Sequence, residues 1–259
     1  TPWTAGFSLL HHCAAVSGPV VLVGGEAFTQ PFDRFHRRFL RAAATDGRPT
    51  PTIAFLPTAS ERFPDDDTED AAYRLGKMGI AATVPIRTRS DAENPTFADG
   101  IEAADVIYLG DGDTGRLVRT IHGTKTEAAI RTAHRRGALV IGAGAGAAAL
   151  CADVPARPDD VPARPGEPYF RWFPGFGILG GMVVLSRYNR TPAVWLRRLK
   201  ETTPHDAPLI GIDDVTGLVW MDDHWSVVGY GRVIIFHALT ETSFGAGETV
   251  PLPPPVESD

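Results

Sequence analysis

Val140-Ile141-Gly142-Ala143-Gly144-Ala145-Gly146-Ala147-Ala148-Ala149-Leu150 decides how this chain folds. It reads as an apolar strand, a tight glycine turn and the start of an alanine-rich helix. Three readings fit. Gly142, Gly144 and Ala147 satisfy G-x-G-x-x-G/A, a loop that brings phosphate against backbone N–H groups at a helix N-terminus. The small residues also suit the strained strand-to-helix turn of the G-x-S-x-G type, which presents a nucleophile. The third reading is a close-packed turn that binds nothing. No serine stands anywhere in the stretch.

Upstream, short β-rich runs alternate with helical stretches. Val20-Val21-Leu22-Val23 stops at Gly24-Gly25, and Asp33 to Ala43 follows with Phe35, Phe39 and Leu40 at helical spacing. Thr52 to Leu56 is a second strand, and Asp70 to Met78 reads as a helix. Ala82 to Ile86 is a third strand, pushed towards a sheet edge by Pro85. Asp105 to Leu109 is a fourth, Leu117 to His134 holds helix broken near Gly123, and Ala138 to Ile141 is a fifth. Valine- and isoleucine-rich strands separated by helices imply parallel strands buried on both faces. The expected fold is therefore α/β, a three-layer α/β/α domain with a mostly parallel sheet.

Beyond Cys151 the texture changes. Pro155, Pro158, Pro162, Pro165 and Pro168 predict a long irregular excursion. Runs at Leu209–Ile212, Gly217–Trp220, Ser226–Gly229 and Arg232–Phe236 are separated by short turns and should form an antiparallel C-terminal extension. The Pro-rich tail, 246–259, reads as frayed.

Composition narrows the function. The chain has 259 residues, 43% hydrophobic and 22% charged, with a formal net charge of -6. That balance argues against nucleic acid or an anionic membrane as partner. No run of 18 apolar residues appears. Cys13 and Cys151 are the only cysteines, too few for a disulfide framework, and Thr1-Pro2-Trp3-Thr4 lacks signal-peptide character. A cytoplasmic location is the expectation.

Five motifs then fall in order. They are Gly24-Gly25-Glu26, Pro57-Thr58-Ala59-Ser60, Leu109-Gly110-Asp111-Gly112-Asp113, Gly177-Ile178-Leu179 and Gly211-Ile212-Asp213-Asp214-Val215-Thr216. With the glycine turn, they resemble the cyanophycinase and dipeptidase E family of serine peptidases, in the class I glutamine-amidotransferase-like superfamily. The resemblance runs from about Val20 to Phe236. It implies a single domain over 1–259, with a core at about 19–238.

The resemblance also implies a site. The family's G-T-S-A-G-A elbow puts its nucleophilic serine at Gly144. Its G-G-D/N-Q oxyanion stretch falls on Asp111-Gly112-Asp113-Thr114, so Gly112, Asp113 and Ala145 take the oxyanion and pocket positions. Its D-x-H-F stretch falls on Leu185-Ser186-Arg187-Tyr188, which sets Arg187 in the histidine's place. The acid of G-I-D-E falls on Asp214. Such a triad needs a nucleophile, a base and an orienting acid. Glycine has no side chain, arginine stays protonated, and only Asp214 is left. The expectation is a catalytically inactive homologue.

Further expectations follow. Arg187, Arg190 and Tyr188 are candidates to hold a small acidic or peptide ligand. No cofactor is expected. The alternatives are an active hydrolase with a displaced nucleophile such as Ser186, or a nucleotide-binding module using the Gly142–Ala147 loop. Cys151, two helical turns past Gly144, should be a buried packing cysteine. Ser60 should cap a following segment. His11-His12-Cys13 is a weak metal signal, and Asp65-Asp66-Asp67 reads as a solvated helix start. Tyr169-Phe170-Arg171-Trp172-Phe173 fits equally a packed lid, a homodimer face or a pocket wall.

Overall fold

The structure is a computed structural model that describes residues 17–44, 49–156, 169–203, 207–237 and 240–258. The chain begins β1 (Val20–Val23), α1 (Asp33–Ala42), β2 (Thr52–Leu56), α2 (Asp66–Gly76), β3 (Ile80–Thr83), α3 (Arg89–Ala92) and α4 (Pro95–Ala103). Next come β4 (Val106–Leu109), α5 (Thr114–Ile121), α6 (Lys125–Arg135), β5 (Leu139–Ala143), α7 (Ala145–Ala149), β6 (Asp153–Ala156) and β7 (Arg171–Pro174). The rest is β8 (Val183–Ser186), α8 (Ala193–Thr202), β9 (Leu209–Ile212), β10 (Thr216–Met221), β11 (His224–Gly229), β12 (Val233–His237), β13 (Thr240–Phe244) and β14 (Thr249–Val250).

The main sheet has eight strands in the order β14-β11-β10-β1-β5-β4-β2-β3. From β1 to β3 all neighbours are parallel, and from β1 to β14 all are antiparallel. The strands alternate between two cores. Val20, Leu22, Ile107, Leu109 and Val140 pack under α4–α7, whereas Val21, Val23, Tyr108 and Ile141 pack under α1 and α2. This explains why β1 is apolar at every position: both of its faces are covered, and each buried Val or Leu contributes roughly 1.5–3 kcal/mol. The three-layer α/β/α expectation is thereby met. β3 lies at the sheet edge, as expected, but it spans Ile80–Thr83 rather than Ala82–Ile86 and ends before Pro85.

Gly142 pairs with Leu22 on one side and Leu109 on the other. A Cβ there would meet the Gly146 and Ala147 backbone at 2.6 Å. The small residues thus let α7 lie directly on the sheet.

The C-terminal region departs from the expected single extension. β9 does not pair with β10; it joins β8, β12 and β13 in a second, four-stranded sheet. The chain crosses from this sheet to the main one at Asp213–Val215. Short connections also suit a strand that changes sheets. The proline-rich excursion begins as a strand, since β6 pairs with β7 despite Pro155; residues 157–168 lie outside the described residues. α2 starts at Asp66 because Asp65 caps it: the Asp65 side chain accepts from Thr68 N–H, and Thr68 Oγ1 accepts from Asp65 N–H.

The tail is not frayed. β14 pairs with β11, Trp225 Nε1 donates to Pro253 O at 2.8 Å, and Glu257 pairs with Arg131 and Arg135. Prolines cannot donate, but their carbonyls still accept. Cys151 is fully buried, as expected, and burial pushes its thiol up to about 12. Within the described residues no helix is long and apolar enough to cross a membrane.

His36 is sealed in the α1/α2-side core. Its Nε2 lies 3.1 Å from the Tyr108 hydroxyl, and Phe28 and Phe32 cover the ring. Burial first, and then Arg74, hold its pKa down to about 3. In the unfolded chain the ring titrates near 6.5. Its contribution is therefore complete above pH 6.5 and is lost as pH falls towards 3. Urea unfolding at pH 5 is expected to give about 2 kcal/mol less stability than at pH 7. The difference should shrink in His36→Leu; an unchanged pH dependence in that variant would show that the ring is not responsible.

Candidate functional site

β5 ends at Ala143, and the chain turns into α7 through Gly144, at φ 51° and ψ -107°. This is positive-φ backbone that side chains rarely adopt. Gly144 N–H donates to Val23 O, which ties the turn to the end of β1. The loops after β1, β4, β8 and β9 meet there. Arg187 N–H donates to Gly24 O and Val215 N–H to Gly25 O. Asp214 N–H donates to Asn189 Oδ1 at 3.0 Å. Glu26, Arg187 and Val215 all sit in left-handed backbone around the turn, a form of strain found where a site is held rigidly.

The centre of this site is Asp111. Its Oδ1 accepts from Gly112 N–H at 2.8 Å and from Ala145 N–H at 3.1 Å. Gly112 and Ala145 are two of the three positions, with Asp113, that the family resemblance implies for the oxyanion hole and pocket. The Oδ2 of Asp111 pairs with the Arg187 guanidinium. A Cβ built on Gly144 would overlap this carboxylate, whose three outer atoms would all lie within 2.5 Å. The absent side chain at 144 and the carboxylate at 111 claim the same space.

Around it runs an ionic chain. Arg187 lies 3.7 Å from Asp214 Oδ1 and 3.6 Å from Glu26 Oε1. Arg190 reaches Asp214 at 2.5 Å and Glu26 at 3.2 Å. Burial opposes the charge on Arg187, but Asp111, then Asp214 and Glu26, raise its pKa above the ordinary arginine value. Arg187 is therefore a fixed cation and not a base. Three carboxylates face two guanidiniums here.

The expected positions separate into two groups. Gly112, Gly144, Ala145, Arg187, Arg190 and Asp214 come together. Asp113 borders the same cleft, where it caps α5 by accepting from Arg116 N–H. Tyr188 does not join them; its ring packs against Phe236 and beneath Gly211. Ser186 ends β8 in register with Ile212 and does not line the cleft. Ser60 does line it, and its hydroxyl donates to Asp65 at 2.7 Å, a bond that above all holds the Asp65 carboxyl below its usual range. None of the aromatic segment borders the cleft: Phe170 stacks on Trp195, and Phe170 and Trp172 pack against the second sheet. His11, His12 and Cys13 lie outside the described residues. Among the described residues no cluster of His, Cys, Asp and Glu is arranged to hold a metal ion.

Asp111 and Glu26 are the members that sequence reasoning missed. The available signal was an aspartate at 111, where the family stretch carries glycine. The same carboxylate answers the phosphate-loop reading, because it takes an N–H at the start of α7 that a phosphate would need.

The cleft in front of this site measures about 940 Å³ and opens at the C-terminal ends of the parallel strands, where open α/β sheets place ligands. A sequence profile covering residues 20–228 matches peptidase family S51. The chain belongs to peptidase family S51. A peptidase from an acI-B1 actinobacterium shares 27% identity with this S51 chain, with a TM-score of 0.77 over 90% of this chain and 96% of that one. A Listeria monocytogenes EGD-e protein with a peptidase E designation shares the fold at 16% identity and a TM-score of 0.60, over 83% of this chain and 100% of that one. No curated protein matches the chain. In this S51 chain, Gly144, Arg187 and Asp214 surround one turn, with Asp111 at its centre.

Proposed function

We propose that this S51 member carries out no acyl transfer at its elbow and retains the cleft as a binding site for a cationic ligand, a basic peptide or an amine. One observation carries the first half: the Asp111 carboxylate takes both N–H donors and the volume that a side chain at 144 would need. Acyl transfer requires a nucleophile and free donors for the developing oxyanion. Here the first is missing and the second are engaged.

The charge of the cleft supports the second half. Eight carboxylates line it, among them Glu26, Glu61, Asp65 and Asp70, against the guanidiniums of Arg62 and Arg187. Arg187 is already shared among three carboxylates. An acidic ligand would find no free cation at the elbow and a negative field in front of it, so the expectation of an acidic ligand gives way to a cationic one. A concave site lined by one sign of charge concentrates ions of the other.

The test has two parts. Purified protein is expected to hydrolyse no member of a panel of acidic, neutral and basic dipeptides. Calorimetry is expected to detect short lysine- or arginine-containing peptides, at least tenfold more weakly at 0.5 M than at 0.05 M salt, with acidic dipeptides silent. Turnover abolished by Asp214→Ala or Ser186→Ala would overturn the first half. Equal affinity for acidic and basic peptides would overturn the second.

A further inference from the structure

We infer that side chains at positions 111 and 144 exclude one another, and that this chain holds a latent acyl-transfer frame stoppered by its own carboxylate. The inference rests on the S51 placement of the site and goes beyond the absence of activity. Here the geometry persists. Gly112 N–H and Ala145 N–H converge on one oxygen, Oδ1 of Asp111, as they would on an oxyanion. Gly144 keeps a positive-φ strand-to-helix turn, at φ 51° and ψ -107°. Asp214 is 6% exposed, hydrogen-bonded through its backbone to Asn189 and within 4 Å of the Arg187 guanidinium.

The three unusual residues also fit one another. The carboxylate at 111 fills the space left by a side chain missing at 144. A carboxylate there needs a cation, and Arg187 is the cation. A neutral imidazole at 187 would leave Asp111 with no guanidinium partner at the turn, and an arginine at 187, already protonated, could not accept the proton of a hydroxyl at 144. Asp111, Gly144 and Arg187 therefore constitute one linked replacement. Adding a side chain at 144 alone produces a clash, and removing the guanidinium at 187 alone leaves the Asp111 carboxylate without its cation, whereas undoing all three leaves donors, nucleophile, base and acid in place.

The test combines a stability cycle with covalent labelling. Gly144→Ser is made in the native background and in Asp111→Gly. The backbone strain at 144 is present in both, but the overlap with the carboxylate only in the first. The loss of melting temperature caused by Gly144→Ser is expected to be at least halved once Asp111 is gone. The triple variant Asp111→Gly/Gly144→Ser/Arg187→His is then exposed to a fluorophosphonate. The introduced hydroxyl oxygen bonds to phosphorus, the P–F bond breaks, fluoride leaves, and the hydroxyl proton passes to the introduced imidazole. Labelling is expected to be at least 100-fold faster than in the native chain and to be suppressed when Asp214→Ala is added.

Equal losses from Gly144→Ser in both backgrounds, or a failure to fold in both, would overturn the exclusion. A triple variant that melts near the native temperature yet does not label would overturn the latent frame. If the triple variant does not fold, the cycle alone decides, and rescue of Gly144→Ser by Asp111→Gly sustains the inference. Turnover by the native chain would instead sink the proposed function, while leaving the 111–144 cycle to be read independently.

Discussion

Gly144→Ala is expected to lower stability by about 4 kcal/mol, more than most core truncations of similar size. Only one carbon is added, but it meets two separate obstacles. At φ 51° and ψ -107° the backbone lies outside the left-handed helical well that asparagine or aspartate can adopt, and a Cβ there costs of order 1–3 kcal/mol. The same Cβ overlaps the Asp111 carboxylate. Displacing that group breaks its bonds to Gly112 and Ala145 and separates it from Arg187, which is half-buried among acids. Urea unfolding of the variant measures the sum. A loss below about 1 kcal/mol, within the range of an ordinary surface substitution, would mean that Asp111 moves aside freely and does not belong to the fixed structure of the turn.

The second large effect is expected at the other end of the chain. Removing residues 249–259 should lower the melting temperature by roughly 10 °C, or about 4 kcal/mol for a chain of this size. β14 would no longer cover the edge of β11, and the fully buried Trp225 would lose both Val250 and the carbonyl of Pro253. Arg131 and Arg135 would lose Glu257, and Gly177 O would lose the Ser258 N–H. The tail is thus an outer strand of the main sheet followed by a strap across α6. Calorimetry gives the shift, and Trp225 emission gives a second reading; a change below about 2 °C would show that the strap adds nothing to the core it covers.

Strands buried on both faces were readable from sequence because nothing polar can be placed in them; β1, β4 and β5 are continuous apolar runs for that reason. Two short helices were hidden. α3 spans four residues and buries only Ala92, so it has no periodicity to detect, and the signals that mark it and α4 are caps, at Thr88 and at Asn94 before Pro95. The second sheet was hidden because apolar runs joined by tight turns look the same whether they pair with each other or diverge at Asp213–Val215. Proline density misled at both ends of its range. It suggested irregularity where β6 forms and fraying where the tail docks, since proline forbids donation but not acceptance. In the site, Gly144, Arg187 and Asp214 were legible through spacing and family likeness. Asp111 was not, because its position matters only in relation to a side chain absent 33 residues further on, a relation that appears only in three dimensions.

Cys151 stands where α7 gives way to the bridge with Leu179, at the meeting of the elbow helix and the second sheet. Its thiol is sealed from solvent and shifted to about 12, so at neutral pH the folded protein offers almost no thiolate there and no path for a reagent to reach it. Alkylation at this sulfur must wait for the surrounding core to open. Cys151 is thereby a natural clock for large-scale opening. The rate at which it is consumed counts departures of α7 from the sheet, and passing fluctuations of the surface leave it untouched.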